Sequence, residues 1–298
     1  MAKGGLNYRA MSPPPPRVTN TNPAKIFLLP NLMTAGNLIF GFLAVLKIFE
    51  GAFLRDTGGA NWTHLYYVSI YCILAACLCD LLDGRLARLG GKESPFGREF
   101  DSLADVVSFG VAPALLVFKI VLYHIPHQIG WLIAVFYLLC GALRLARFNV
   151  AATYNLGTGT RNFTGFPIPA AAGVISSITL LLLSQYQREQ DLAAGFGGII
   201  LAALMVFLSF MMFSKFEYPS FKGLNWRTQF SLPRFLGVVC LLGLTIVYYQ
   251  WMPAVVFVSY LLYGFLRPFI SRAWRREIEE EEDDHEPTQV PPPPPEDL

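Results

Sequence analysis

The sequence predicts an all-α polytopic membrane protein, a bundle of about eight transmembrane helices with both termini in the cytoplasm. Of the 298 residues, 54% are hydrophobic and only 15% are charged, whereas about one quarter of a soluble domain is charged. The apolar residues form runs close to the roughly 20 residues that a helix needs to cross a bilayer. Lysine and arginine collect in alternate connections between these runs, as they do in membrane proteins.

Eight apolar runs follow one another along the chain. Backbone groups inside a bilayer must be hydrogen-bonded within the protein, and runs of this length and spacing suit helices rather than the strands of a barrel. The last two runs are separated only by the short turn QWMP, which suits an antiparallel helix pair. The runs cover residues 31–50, 65–83, 101–122, 129–147, 167–185, 194–213, 234–250 and 252–269.

The positive charges predict the orientation of the bundle, because loops rich in Lys and Arg stay in the cytoplasm. One set of loops carries only Arg55 and Arg188. The termini and the even-numbered loops carry Lys3, Arg9, Arg17, Lys25, Arg85, Arg88, Lys92, Arg98, Arg144, Arg147, Arg161, Lys215, Lys222, Arg227, Arg234, Arg267, Arg272, Arg275 and Arg276. Both termini and the even-numbered loops are therefore predicted to be cytoplasmic.

The second of these loops and its flanks are unusually polar, with the sequence CDLLDGRLARLGGKESPFGREFDSLAD from Cys79 to Asp105. Residues separated by three or four positions share one face of a helix. The first half places Asp80, Asp83, Gly84, Ala87 and Arg88 on one face, and the second half does the same for Gly97, Asp101 and Asp105. The linker LGGKESPF contains two glycines and a proline, so the chain can reverse direction there.

Two antiparallel helices would present two aspartates each to one cleft. Four carboxylates this close repel one another, and burial raises the cost, so the pattern indicates a site for a divalent cation. Oxygen ligands without His or Cys favour Mg²⁺ or Mn²⁺ over Zn²⁺. Alternatively, Asp101 and Asp105 could be first-turn anions favoured by the helix dipole, with the other two aspartates paired to nearby arginines. The matched faces of all four favour the cation site.

The full spacing, Asp80-x2-Asp83-Gly84-x2-Ala87-Arg88-x8-Gly97-x3-Asp101-x3-Asp105, resembles the signature of the CDP-alcohol phosphatidyltransferase family at all eight positions. The segment LPNLMTAGNLIFGFLAV resembles the first helix of the phosphatidylserine synthase branch of that family. RLARFNV and FTGFPIPAAAG resemble segments that follow the fourth helix of that branch. The resemblance covers most of residues 28–175.

The resemblance implies an enzyme that moves a phosphatidyl group from CDP-diacylglycerol to an alcohol hydroxyl and releases CMP. For this branch the implied acceptor is L-serine, while glycerol phosphate, inositol phosphate or choline remain alternatives on the same scaffold. An ion-coupled transporter is the alternative from another class. Transporters often repeat their broken helices in matching halves, whereas here the aspartates are confined to one predicted helix pair.

The resemblance also implies roles for single residues. Asp80, Asp83, Asp101 and Asp105 would bind two divalent cations, Mg²⁺ or Mn²⁺, which stabilise charge on the attacking and leaving oxygens. Asp105 would also take the proton of the acceptor hydroxyl. The residues predicted to bind CDP-diacylglycerol are Gly84, Ala87, Arg88, Gly97, Asn31 and Thr34. Helix capping explains Asn31 equally well, and close helix packing explains Ala87 equally well.

The candidates for binding the acceptor or a phosphate are Arg144, Arg147, Asn149, Gly165 and Pro167. Arg144 and Arg147 lie near the cytoplasmic end of the fourth run, where they could bind a carboxylate or a lipid phosphate. Ordinary enrichment of positive charge on the cytoplasmic side explains them equally well. The prolines of FTGFPIP could simply begin the fifth helix.

Four segments are predicted: a disordered N-terminal tail (1–24), the catalytic membrane domain (25–215), additional C-terminal transmembrane helices (216–272) and a disordered acidic, proline-rich tail (273–298). The net charge of +2 gives no strong overall positive charge that would point to nucleic acid, so no nucleic-acid partner is expected. The expected partners are CDP-diacylglycerol, L-serine and membrane lipids, and the resemblance suggests a homodimer. We expect an integral protein of a bacterial inner membrane with its active site facing the cytoplasm.

Overall fold

The structure, a computed structural model, describes residues 28–59, 61–89, 95–125, 129–153, 163–185, 195–214, 217–218, 243–245 and 247–266. These residues are helical apart from loops, turns and one two-residue antiparallel pair, β1 (Phe163–Thr164) with β2 (Glu217–Tyr218). Their α-helices are α1 (Leu28–Asp56), α2 (Trp62–Leu89), α3 (Pro95–Asp105), α4 (Ala112–Ile120), α5 (Ile129–Thr153), α6 (Ile168–Gln185), α7 (Phe196–Phe213) and α8 (Met252–Leu266). A π-helix, Val106–Val111, joins α3 to α4, and a 3₁₀ turn, Leu122–His124, follows α4.

Six stretches of the described chain are long and apolar enough to cross a membrane: Asn31–Asp56, Trp62–Arg85, Phe96–Ile120, Ile129–Ala151, Ile168–Gln185 and Phe196–Phe213. They confirm the prediction of an all-α polytopic membrane protein. The eighth predicted run forms α8 as far as the structure describes it, with 15 residues. Most of the seventh run and both predicted tails lie outside the described residues, so the total of about eight spans and the cytoplasmic termini stay predictions.

Helices α1 and α2 form a long antiparallel hairpin with small residues at the contact. Gly36 lies beside Cys79, where an added Cβ would be 3.5 Å from the sulfur, and Gly51 lies beside Leu65, where it would be 3.3 Å from Cβ. The start of α1 therefore lies against the end of α2. Small residues let helix backbones approach closely in a membrane, which explains these glycines by packing.

The π-helix between α3 and α4 follows from a proline. Pro113 has no N–H to donate to the carbonyl of Phe109, four residues earlier. That carbonyl instead accepts a hydrogen bond from the Tyr137 hydroxyl of α5, at 3.1 Å. The interruption begins directly after Asp105, and π-bulges of this kind are frequent at functional sites.

The third and fifth spans are central in the bundle. In each, 61% of the most apolar window is buried, against 28% in the first and second spans. The largest fully buried side chains include Tyr66, Tyr137, Phe109 and Phe166. Because the spans alternate in direction, the start of α1, the end of α2, the start of α3, the end of α5 and the start of α6 all lie at one end of the bundle.

Candidate active site

Three aspartates meet at this end of the bundle. Asp80 of α2 and Asp101 and Asp105 of α3 each offer one carboxylate oxygen, and these oxygens all lie within 4.8 Å of one another. Asp105 is buried, and the other two are half-buried. The structure therefore brings together the two halves of the motif, as the helical spacing predicted.

Asp83, the fourth aspartate, points to a different neighbour. It lies within electrostatic reach of Asp80, yet it is not in the group of three whose oxygens converge. Its carboxylate accepts a hydrogen bond from the hydroxyl of Thr34 on α1, and it is buried. The four predicted metal ligands are thus arranged as a cluster of three with Asp83 at its side.

One face of α1 lines both halves of the motif. Asn31, Thr34 and Asn37 follow one another at three-residue spacing, which keeps them on neighbouring parts of that face. The amide of Asn37 donates a hydrogen bond to Asp105 Oδ1 at 3.0 Å, and Asn37 is fully buried. Sequence reasoning missed Asn37, although an amide inside an apolar transmembrane run is itself a signal of a functional site.

Asn31 lies within α1 and not at its cap. The helix begins at Leu28, three residues earlier, so the capping alternative for Asn31 is wrong. The side-chain nitrogen Nδ2 of Asn31 is buried and has no hydrogen-bond partner among the described residues. The contact between Asn31 and the nucleotide stays a prediction, which the unpartnered Nδ2 donor supports.

The π-helix after Asp105 is docked against α1. The hydroxyl of Ser108 donates to the backbone carbonyl of Asn37 at 2.9 Å. At Gly41, an added Cβ would lie 2.6 Å from Ser108 Cα, which leaves no room for a side chain. Asn37 therefore holds Asp105 with its side chain while its backbone holds the segment that follows Asp105.

The predicted nucleotide-binding residues of the motif are described in part. Gly84 is exposed on α2, and Gly97 is half-buried on α3. Ala87 and Arg88 lie within α2, but their side chains lie outside what the structure describes. Their contacts with CDP-diacylglycerol stay predictions.

Among the acceptor candidates, Arg144 faces the aspartates. It is buried in α5, with 8% of its surface exposed, and lies within electrostatic reach of Asp105, Asp80 and Tyr260. Its Nε atom is buried without a hydrogen-bond partner among the described residues. A buried arginine in a membrane protein requires opposite charge nearby, and the aspartates provide it.

The side chains of Asn149 and Arg147, also on α5, bond to neighbouring helices. The Asn149 amide donates to Ser102 Oγ at 2.9 Å and to Glu99 Oε2 at 3.4 Å, which joins α5 to α3. Arg147 Nη1 donates to the carbonyl of Phe213 at 3.5 Å, at the end of α7, where a basic side chain satisfies a terminal carbonyl. Both residues thus hold neighbouring helices together.

Gly165 and Pro167 build the turn before α6. Gly165 has φ +84°, a left-handed conformation that favours glycine, and an added Cβ would lie 3.1 Å from Arg147 Nη2 and 3.2 Å from Ser214 O. The carbonyl of Pro167 accepts from Ala171 N at 2.9 Å in the first turn of α6. In this structure both residues shape the backbone beside the site.

Comparison with known proteins identifies the same region of the chain. A family model described as CDP-alcohol phosphatidyltransferase matches residues 27–221. A CDP-diacylglycerol–serine O-phosphatidyltransferase of Helicobacter pylori is 34% identical over 244 residues, 81% of this chain and 91% of the relative. The Bacillus subtilis protein of that name is 35% identical over 194 residues, 65% of this chain and 91% of the relative. An archaetidylserine synthase of Methanothermobacter thermautotrophicus is 37% identical over 205 residues, 67% of this chain and 73% of the relative.

Proposed function

The chain belongs to the CDP-alcohol phosphatidyltransferase family, and we propose that it transfers the phosphatidyl group of CDP-diacylglycerol to the hydroxyl of L-serine, giving phosphatidylserine and CMP. The observation that carries the proposal is the convergence of Asp80, Asp101 and Asp105 at one end of the membrane bundle. Serine as the acceptor is supported by the names of the relatives in Helicobacter pylori and Bacillus subtilis.

The carboxylate cluster fits divalent cations. Three carboxylate oxygens within 4.8 Å of one another form a hard, anionic donor set of the kind that Mg²⁺ or Mn²⁺ prefers. We propose that Asp80, Asp101 and Asp105 hold the cations, two in number as the family implies, and that Asp83 completes the set beside Asp80. Bound cations would neutralise charge on the diphosphate of the donor.

Asp105 is proposed as the base. Its Oδ1 accepts a hydrogen bond from the Asn37 amide, which fixes the carboxylate that is to take the proton of the acceptor hydroxyl. The hydroxyl oxygen then forms a bond to the phosphorus of the phosphatidyl group, the bond from that phosphorus to the bridging diphosphate oxygen breaks, and CMP leaves with the electron pair. Gly84 and Gly97 would let the nucleotide approach the backbone closely, with Ala87 packed beside it and Arg88 on its phosphates.

The charge of Arg144 favours an anionic acceptor. Arg144 is buried and lies within electrostatic reach of Asp105 and Asp80, the aspartates at which the acceptor hydroxyl is proposed to react. Serine, glycerol phosphate and inositol phosphate each bring a negative group that this charge can attract, whereas choline brings only a positive one. Choline is therefore the least suitable of the four acceptors.

The site is proposed to face the cytoplasm of a bacterial inner membrane. Arg85, Arg98, Arg144 and Arg147 lie at the same end of the bundle as the aspartates, and positive charge marks the cytoplasmic side. We also propose the division into a catalytic membrane domain (25–215) and additional C-terminal helices (216–272). We also propose the homodimer that the family implies. Cysteine crosslinking in native membranes tests whether it forms.

The test is an acceptor comparison with purified protein. CDP-diacylglycerol in mixed micelles is incubated with L-serine, glycerol phosphate, inositol phosphate or choline, and both CMP and lipid product are measured. We expect CMP and phosphatidylserine with serine, loss of both after chelation of metal, and recovery with Mg²⁺ or Mn²⁺. If another acceptor gives lipid product and serine gives none, serine is not the acceptor. If no acceptor and no metal gives CMP, the protein is not a phosphatidyltransferase.

A further inference from the structure

The side-chain amide of Asn37 has one end that the proposed mechanism does not use. Its Nδ2 donates to Asp105 Oδ1 at 3.0 Å, whereas its Oδ1 is buried and has no hydrogen-bond partner among the described residues. Asn37 is 0% exposed, so bulk water does not satisfy this oxygen. Buried polar atoms in proteins are almost always hydrogen-bonded, and the oxygen therefore indicates a donor that arrives with a bound group.

The charge of Asp105 decides which end of the amide is left over. An ionised carboxylate only accepts hydrogen bonds, so the NH₂ group of Asn37 must face it and the carbonyl oxygen must face another neighbour. The backbone of Asn37 is fixed as well, because its carbonyl accepts from the Ser108 hydroxyl at 2.9 Å. Side chain and backbone together hold the amide oxygen at a defined place beside Asp105.

This oxygen lies close to the point where the acceptor is proposed to react. The oxygen and nitrogen of an amide are about 2.2 Å apart, given bonds of about 1.2 and 1.3 Å. Because Nδ2 is 3.0 Å from Asp105 Oδ1, Asn37 Oδ1 lies within about 5 Å of that carboxylate oxygen.

Serine has the dimensions to reach both groups. Its hydroxyl and ammonium are carried by neighbouring carbon atoms, so the oxygen and the nitrogen lie about 3–4 Å apart. A serine whose hydroxyl is at Asp105 can therefore bring its ammonium within hydrogen-bonding distance of Asn37 Oδ1.

The chemistry of an amide oxygen separates serine from the other three acceptors. Such an oxygen accepts hydrogen bonds and cannot donate them. Serine brings a charged N–H donor, whereas the ammonium of choline carries methyl groups in place of hydrogens. Glycerol phosphate and inositol phosphate offer neutral hydroxyls, and hydrogen bonds from charged donors are the stronger ones. The unpartnered oxygen therefore favours an amino-alcohol acceptor with free N–H groups.

We propose that Asn37 binds the ammonium group of the acceptor through Oδ1 while its Nδ2 holds Asp105. The inference rests on the proposed function, because it takes serine as the acceptor. Asn37 is then a specificity-determining residue as well as the residue that orients the base. One amide would bring the hydroxyl of serine next to the carboxylate that takes its proton.

The test compares L-serine with β-hydroxypropionate, which keeps the hydroxyl and the carboxylate of serine but has no ammonium. KM for serine is measured by CMP release, and affinity for β-hydroxypropionate by its competitive inhibition of serine transfer, with the full chain in mixed micelles. We expect Asn37→Ala to raise KM for serine by roughly 10- to 100-fold, the effect of losing a hydrogen bond to a charged group. The inhibition constant of β-hydroxypropionate should stay nearly unchanged.

Ser108→Ala is the control, because it removes the bond to the Asn37 backbone and keeps the amide oxygen. It should preserve the ratio of the serine KM to the inhibition constant. An unchanged KM for serine in Asn37→Ala would overturn the proposal. An equal loss of affinity for both compounds would also overturn it, since Asn37 would then act only through Asp105.

Metal dependence tests the other donor that the oxygen could accept from, a water molecule on a bound cation. If Asn37→Ala raises the metal concentration for half-maximal activity and keeps the ratio of the two affinities, Oδ1 serves the metal site and the inference is wrong. A wild-type protein that transfers nothing to serine would overturn the proposed function itself, and the inference with it.

Discussion

The two halves of the aspartate motif contact the same face of α1, each through one buried aspartate, but they differ in the segment that follows this aspartate. Asp105 is buried, accepts a hydrogen bond from the buried Asn37, and is followed by a π-helix that Ser108 ties to α1. On the α2 half, Asp83 is buried to the same degree and accepts a hydrogen bond from Thr34, but Gly84, which follows it, is exposed.

The difference matches what each half is proposed to do. A general base must be held in hydrogen-bonding reach of the proton that it takes, and the fixed α3 half provides such a base. The α2 half lies near the end of its helix and includes Gly84, beside which the nucleotide is proposed to bind. Four changes test this contrast, from the largest expected effect to the smallest.

Replacement of the proposed base should have the largest effect. Asp105→Asn keeps the shape of the side chain but removes its basicity, so we expect turnover to fall by about 100- to 10,000-fold, the usual contribution of a general base. Binding of CDP-diacylglycerol should be largely intact. CMP release and binding of labelled donor measure the two properties, and loss of donor binding would show that Asp105 is chiefly a metal ligand.

Removal of the amide that orients the base should have the next largest effect. Asn37→Ala deletes the donor to Asp105, and a hydrogen bond to a charged group contributes about 1.5–3 kcal/mol, so kcat should fall by about 10- to 100-fold. KM for CDP-diacylglycerol should change little. Ser108→Ala is the matched control, because it removes only the bond to the Asn37 backbone. Loss of thermal stability without loss of kcat in Asn37→Ala would mean that the amide serves the fold alone.

A methyl group at the contact between α1 and the π-helix should act on stability. In Gly41→Ala the added Cβ would lie 2.6 Å from Ser108 Cα, so the backbones must separate, at a cost of about 1–3 kcal/mol. Gly36→Ala is the control, because its Cβ would lie at an ordinary 3.5 Å from Cys79 Sγ. Melting of the two variants in detergent should differ, with Gly41→Ala the less stable, and equal melting temperatures would contradict the close docking of the π-helix.

The smallest effect is expected on the α2 half. Thr34→Val removes the hydroxyl that donates to Asp83. Because Asp83 lies outside the three converging aspartates, we expect only part of the effect of a hydrogen bond to a charged group, a rise of roughly 2- to 10-fold in the metal concentration for half-maximal activity. Thr34→Ser keeps the donor and should restore the wild-type value. A larger loss of activity in Thr34→Val than in Asn37→Ala would contradict the expectation that changes in the α3 half have the larger effects.

Some features of the site followed from local spacing alone. The intervals between Asp80 and Asp83, and between Asp101 and Asp105, placed each pair on one helical face, and the turn between them predicted that the faces meet. Local spacing could not show that Asp83 points to Thr34 while the other three aspartates converge. That choice depends on how α1 packs against α2 and α3.

The acceptor candidates show the same limit of local reasoning. Arg144 and Arg147 are three residues apart, and sequence reasoning treated them alike. The structure directs Arg144 to the aspartates and Arg147 to the last turn of α7. Asn37 was missed because its partner, Asp105, lies on another helix, 68 residues away.

The sequence by itself determined the membrane class, the existence of the long helices and the residues that each helix presents on one face. These properties depend on composition and on a helical repeat of a few residues, so they can be read from neighbouring positions. Tertiary structure alone decided which faces meet and that the Asn37 amide donates to Asp105. Such contacts depend on the close packing of distant segments, in which a glycine such as Gly41 or the π-helix before Pro113 determines how near two helices come.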